Sequence, residues 1–488
     1  MSEDEEKIEY KHPDDISTNV EGADQDCRQS LQESKAEKKV VRKIDLAFLP
    51  LVICIVTVQL ADKSALAISA ILGIYQDTGI TGSQFSWLGS IFFLGYLIYQ
   101  IPNQFFIQWF PIGKYLGICI TIWGTVMLFT ALGQTFSQLA AMRFLLGIFE
   151  AACLPCIYMI VANLYRRREH AFYFSVATMC QGIGVVLSNL VTVGIANIGN
   201  QKGIMMWRWN HIIFGALTVI LGILTFFFLV DNPKSKLLRL TPEQERIVDL
   251  RSQDNAVIRD KQFNLKHIIE ALCEPRYYLI ALGMIGINLQ VGGVYVFSAQ
   301  FIQTLGNFTA TQSILLKIPT GVVGSLFTLT AGLIARRTQQ TIYICILACT
   351  VCMTGCVMLA IIPSGPIKLL GFYLTAGIGG AYAMFTATVG TNVSGYSKKI
   401  FYNGTLVAAG TVGQFIGPLV MLEREKPRYV TGMTIFAVGN AVAIVCLVIL
   451  RILMVRENKR RIANPPSEIY NGNLGLTDQE DKNFLYKV

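Results

Sequence analysis

Apolar runs of about twenty residues recur along nearly the whole chain, from LAFLPLVICIVTVQLA at 46–61 to TIFAVGNAVAIVCLVIL at 434–450. A helix needs about 20 mostly apolar residues to cross a bilayer. In lipid, only helices and closed barrels satisfy their own backbone hydrogen bonds. Barrel strands are short and alternate in polarity, and these runs do neither. The fold class is therefore an all-α membrane protein. Composition agrees: 53% of the 488 residues are hydrophobic and 15% charged, against about 25% charged in soluble chains.

The net charge of +9 does not point to nucleic acid, because Lys and Arg gather at the ends of apolar runs as topology determinants do. The 12 cysteines are scattered through apolar segments and read as small buried hydrophobes. CLPC at 153–156 has redox spacing but lies inside an apolar run, away from any soluble strand–helix unit. No catalytic triad, metal cluster or phosphate loop occurs, so no cofactor, no metal site and no enzyme activity are expected.

Twelve spans are expected, near 46–70, 84–107, 115–133, 137–163, 171–196, 210–230, 277–302, 314–335, 341–362, 366–390, 401–422 and 431–454. Residues 1–45 read as a cytosolic, disordered, acid-rich tail with no cleavable signal. Basic residues precede span 1 (Lys38, Lys39, Arg42, Lys43), follow spans 4, 8 and 10, and follow span 12 (Arg456, Lys459, Arg460, Arg461). The positive-inside rule then puts both termini in the cytosol. One sequon, NFT at 307–309, falls in a loop on the opposite side, whereas NVS at 392–394 and NGT at 403–405 face the cytosol. The long polar stretch 231–276 divides the chain into a half at 46–230, a half at 277–455 and a cytosolic tail at 456–488. Within the linker, TPEQERIVDLRSQD reads as a short helix capped by Thr241, on a simple tether. Two six-helix halves around a cytosolic linker resemble the major facilitator architecture, in which the halves rock about a midplane site.

Ionisable groups at membrane depth are costly and default to functional candidates. Asp62 and Lys63 interrupt span 1, and Arg143 and Glu150 lie in span 4. Residues seven apart return to one helix face after two turns, about 10 Å along the axis, so Arg143 and Glu150 share a stripe. A structural salt-bridge network is the competing reading, since a buried ion is tolerated when paired. Lys317 in span 8 is expected to snorkel to the membrane boundary, with anion contact as the alternative. His211 reads as interfacial, and Gln59, Tyr96, Tyr99, Gln181 and Gln414 are polar groups on candidate cavity helices.

At these residues the chain resembles the fungal allantoate permease family, in the anion:cation symporter branch of the major facilitators. The resemblance covers nearly the whole chain and is most specific over 62–151. It is carried by DKSALAISAILGIYQD (62–77), GSQFSWLGSIFFLGYLIYQIPNQFFIQWFPIGKYL (82–116) and RFLLGIFEA (143–151), with weaker support from LTDQEDKNFLYKV (476–488). It implies that Asp62 and Glu150 couple protons, that Lys63 contacts a substrate anion, and that Arg143 holds or gates the acids. It places Gln181, more loosely, at a polar substrate contact. Lys63 stands where the branch commonly has Arg, which removes a planar two-pronged clamp. The loop after span 2 carries only Lys114 where facilitators usually carry an acid and a basic cluster. Span 5 lacks the Gly-Pro signature of antiporters.

The expected function is a proton-coupled symporter importing a small organic anion by alternating access, a vitamin or ureide carboxylate such as nicotinate, pantothenate or allantoate. A uniporter or exchanger is the nearer alternative, and a non-transporting nutrient sensor the one from another class. The proton-coupling candidates are Asp62 and Glu150; the substrate-binding candidates are Lys63, Arg143, Gln181, Tyr96 and Gln414. Expected partners are the anion, the proton and the lipid bilayer, with no nucleic acid and a monomeric chain. The expected location is the plasma membrane, with endoplasmic reticulum or vacuole as alternatives.

Overall fold

The computed structural model describes residues 13–198, 203–254, 264–306, 308–363, 365, 367–426, 428–464 and 476–487. Among them there are helices and no β-strand. The spans are Pro13–Ser69, Gly82–Trp109, Ile112–Thr130, Phe136–Glu150 with Cys153–Leu164, Arg167–Ile198 and Met206–Phe228, then Pro275–Gly306, Ala310–Thr338, Thr341–Ile361, Ile367–Thr375 with Ile378–Asn392, Tyr396–Leu419 and Val430–Ala463. Eleven of these are long and apolar enough to cross a membrane by length and composition. The twelfth, Tyr396–Leu419, is more polar (Lys398, Asn403, Thr411, Gln414) because it packs against spans 2 and 7.

Residues 13–45, expected as a disordered tail, are helical and run into span 1 as one helix. The segment QESKAEKKVVRK is rich in good helix formers, and extending an existing helix avoids the cost of nucleation. The linker is not a free tether either. Arg251 of the linker helix Pro242–Asp254 pairs with Glu37 and with Glu169 at 2.6 Å, and Lys43 reaches Gln244 at 2.8 Å. A second linker helix, Leu265–Cys273, meets the C-terminal segment through Glu270 and Thr477 at 3.0 Å. The start of the span 1 helix, the segment 476–487 and the two linker helices therefore lie at one end of the bundle. Asn392 of the NVS sequon is at that end, bonded to the Lys487 backbone, whereas Asn307 of NFT lies outside the described residues.

At the opposite end, spans 2, 4 and 8 begin with the same capping box: Thr81 with Gln84, Thr135 with Gln138, Thr309 with Gln312. Each pair satisfies orphan backbone donors reciprocally. Span 4 breaks at Ala151–Ala152, immediately after Glu150. Pro155 explains the break, because it has no N–H to give the Ala151 carbonyl. Span 10, its counterpart in the other half, breaks at Ala376–Gly377.

Helices approach each other where side chains are missing. A Cβ on Gly147 would sit 2.0 Å from the Phe92 carbonyl oxygen, and one on Gly95 2.3 Å from that of Phe144. These contacts weld spans 2 and 4. Gly147→Leu is expected to force the two spans apart and to remove most folded protein from the monodisperse peak in size-exclusion chromatography. A normal yield would refute that packing. Between the halves, Gly321 of span 8 meets the Gly182 carbonyl of span 5, 2.6 Å from an added Cβ. Hydrogen bonds also join the halves. Tyr75 accepts from Gln300 at 2.5 Å and Glu423 from the Ser83 N–H at 3.1 Å at the end away from the termini, and Gln100 reaches Thr411 at 3.2 Å deeper in the bundle.

Candidate functional site

Span 1 stays helical through its two charges, so neighbouring residues turn about 100° from each other. Asp62 and Lys63 therefore diverge instead of pairing. Asp62 is fully buried and points at span 3, where the Trp123 indole N–H donates to its Oδ2 at 2.7 Å. Lys63 points at span 4, its Nζ 2.9 Å from Glu150 Oε1. Gln59, one turn earlier on the same face, donates to that same oxygen at 3.0 Å. Span 1 thus grips Glu150 with two donors four residues apart.

Glu150 is fully buried, and the Lys63 side chain keeps 24% exposure, so Lys63 is the accessible member of the pair. Its ammonium lies 5.8 Å from the Tyr96 ring centre. Arg143 is buried on the same stripe as Glu150, as the seven-residue spacing predicts, and interacts electrostatically with both acids. Four buried atoms of this cluster have no hydrogen-bond partner among the described residues: Asp62 Oδ1, Glu150 Oε2, Gln59 Oε1 and Arg143 Nη2. Unsatisfied buried polar atoms are rare in native structures and mark strain or function. Two carboxylates with one free oxygen each, held beside three donors, can take up and pass on a proton without refolding.

Other candidates fall elsewhere. The Gln414 amide donates to Asn288 at 2.8 Å, tying span 11 to span 7, and no described contact brings it to the charged cluster. Gln181 is half-buried beside the Gly182–Gly321 seam. Tyr99 meets Tyr115 at 3.1 Å as a strut between spans 2 and 3. His211, expected at the interface, is buried, its Nδ1 2.9 Å from the Trp207 carbonyl and its ring edge-on to the indole. Lys317 does not snorkel: it is 3% exposed, because span 8 is pressed against span 5 at Gly321 and Gly182. Trp123 is the functional candidate the sequence analysis missed. A tryptophan in an apolar span needs an acceptor for its N–H, and that requirement was the available signal.

Known proteins agree with this architecture. The chain is 29% identical to the allantoate permease of Saccharomyces cerevisiae, over 93% of this chain and 87% of that protein. It is 27% identical to an uncharacterised transporter of Schizosaccharomyces pombe, over 93% of both. The thiamine pathway transporter THI73 of S. cerevisiae is 25% identical, over 92% and 86%. Among solved structures, the inward-open xylose transporter XylE from E. coli superposes with a TM-score of 0.64 at 12% identity, over 83% of this chain and 95% of that one. A bacterial homologue of the lysosomal transporter Spinster gives 0.60 at 16%, over 83% and 94%. These likenesses describe a membrane transporter and not an enzyme. Residues 51–421 match the Major Facilitator Superfamily, the family to which this chain belongs.

Proposed function

We propose that the protein is a proton-coupled symporter that imports a small organic anion by alternating access. One observation carries the reading: a lysine paired with a buried glutamate at membrane depth, Lys63–Glu150 at 2.9 Å, with a second buried acid, Asp62, on the adjacent residue. Proton uptake on Glu150 cancels its attraction for Lys63 and frees the ammonium for an anionic substrate. Gln59 keeps Glu150 in place meanwhile, because its bond at 3.0 Å survives neutralisation of the acid. Arg143 then offers a positive charge that draws the carboxylate back to its ionised form and sends the proton onward. Asp62 stays oriented by Trp123 and is the second proton position.

The halves rock about this cluster. Opening at the end away from the termini breaks the Tyr75–Gln300 and Ser83–Glu423 bonds. Access from the other end leaves them intact and separates Gln100 from Thr411. The chain works as a monomer in the plasma membrane with both termini in the cytosol. The basic residues flanking the spans at the termini end support that orientation. The relative named for allantoate supports a carboxylate or ureide anion as cargo.

Uptake of radiolabelled allantoate, nicotinate and pantothenate by cells expressing the chain tests this. At least one should accumulate faster at acidic external pH and lose that accumulation when a protonophore collapses the gradient. Uptake indifferent to the protonophore would instead make the protein a uniporter or exchanger. Uptake of none of them, with a growth response to one, would make it a sensor.

A further inference from the structure

Lys317 has no part in the scheme above, and its surroundings ask for one. Its Nζ is buried and has no hydrogen-bond partner among the described residues, and no carboxylate pairs with it there. It sits over a ring face: the ammonium lies 5.3 Å from the centre of Tyr295, in span 7. A ring face offsets only part of the cost of enclosing a charge. The chain offers no escape, because Gly321, one turn on, packs against span 5.

Tyr295 links this lysine to the cluster in the other half. Its hydroxyl meets Ser64 at 3.0 Å and the Leu60 carbonyl at 3.2 Å, and Ser64 directly follows Lys63. Lys317 and the residue next to Lys63 thus meet on one tyrosine at the junction of the halves. The charge balance points the same way. Asp62 and Glu150 are matched by Arg143 and Lys63, so neither of these acids is left over for Lys317. A buried ammonium is normally paired, and among the described residues no acid pairs with this one.

We infer that Lys317 is the anion anchor contributed by the second half: the carboxylate of a monoanionic substrate binds between Lys317 and Lys63, against Tyr295. This rests on the anion reading above and sharpens it. Lys63 is occupied by Glu150 until a proton arrives, whereas Lys317 is available throughout. The substrate therefore docks first on Lys317 and engages Lys63 afterwards. Because the two lysines belong to different halves, one carboxylate held by both draws the halves together around it.

The test uses the purified full-length protein and thermal unfolding as a function of added allantoate, nicotinate or pantothenate, with nicotinamide and pantothenol as uncharged counterparts. Wild type should be stabilised by at least one carboxylate and by neither uncharged compound. Lys317→Met should need on the order of 30-fold more of that carboxylate, or more, for the same shift, as expected when one partner of a buried charge pair is removed. Lys317→Arg should recover most of the response, since it keeps the charge. Without ligand, Lys317→Met should unfold at the wild-type temperature or higher, because an unpaired buried charge is gone. A ligand-free Lys317→Met that is less stable than wild type would assign a structural role and overturn the inference. So would an unchanged half-maximal concentration in a variant whose wild type responds. No response of wild type to the carboxylates, or an equal response to the uncharged compounds, overturns the anion reading and this inference with it.

Discussion

Glu150→Gln should abolish proton-driven accumulation of the anion while leaving anion exchange across the membrane in place. Glutamine keeps the shape of glutamate, so the contact between spans 1 and 4 is retained. It cannot take or release a proton, and it offers Lys63 a neutral acceptor in place of a charged one. A hydrogen bond to a charged group contributes about 1.5–3 kcal/mol, so Lys63 is freed by roughly 10- to 150-fold in equilibrium terms. Reconstitution into liposomes with an imposed pH gradient separates the two activities. Wild type should concentrate the anion, and Glu150→Gln should only equilibrate it. Asp62→Asn makes a controlled comparison, because asparagine still accepts the Trp123 N–H that Asp62 takes at 2.7 Å. Any loss of coupling there comes from charge and not from a misplaced helix. If both variants concentrate the anion as wild type does, neither acid carries the proton.

The second large effect lies at the termini end, in a buried ion cluster. Asp478, from the segment 476–487, is fully buried. It meets Lys398 at 2.8 Å, Arg276 at 2.8 Å and the Tyr486 hydroxyl at 2.8 Å. Lys398 also pairs with Glu270 at 2.7 Å and with Glu274. The Arg276 guanidinium lies 4.5 Å from the Tyr486 ring centre. Removing one partner of a buried ion pair costs about 3–5 kcal/mol, because the other is left uncompensated. Asp478→Ala should therefore lower the thermal unfolding midpoint in detergent markedly, and an unchanged midpoint would show that the C-terminal segment contributes nothing to the fold.

The pH dependence of that contribution has a definite sign. Burial opposes ionisation of Asp478, but Arg276 and Lys398 outweigh it and hold its carboxyl below the ordinary carboxylate range. A group with a depressed native pKa stabilises fully above its unfolded value, near 3.9 for aspartate. The stability from Asp478 should be complete at neutral pH and disappear only as pH falls below about 4. The difference between wild type and Asp478→Asn should shrink over that same window.

Much of this was legible from the sequence. The apolar runs fixed the number of spans to within the polar helix Tyr396–Leu419, whose lower hydropathy reflects enclosure by spans 2 and 7. The charged positions were legible too, since Asp62, Lys63, Arg143 and Glu150 stand out in apolar surroundings and spacing alone put the last two on one face. Other features left weaker traces. The break after Glu150 is written in Pro155, which also belongs to a CLPC tetrad of a different apparent meaning. The docked linker and the helical start of the chain depend on Glu37, Arg251 and Glu169, residues distant in sequence and ordinary in composition.

The sequence by itself determined that this chain spans a membrane as two six-helix halves with charge in spans 1 and 4. The cost of exposing polar backbone and ions to lipid allows few other solutions. Only the tertiary structure decided who pairs with whom. It turned Asp62 to Trp123 and Lys63 to Glu150, tied Gln414 to Asn288, and enclosed Lys317 beside Tyr295 instead of letting it reach the membrane boundary. Those outcomes depend on helix rotation and on backbone contacts such as Gly147 against Phe92 and Gly321 against Gly182. Residue spacing sets which side chains share a face of one helix, whereas close packing between helices sets what that face meets.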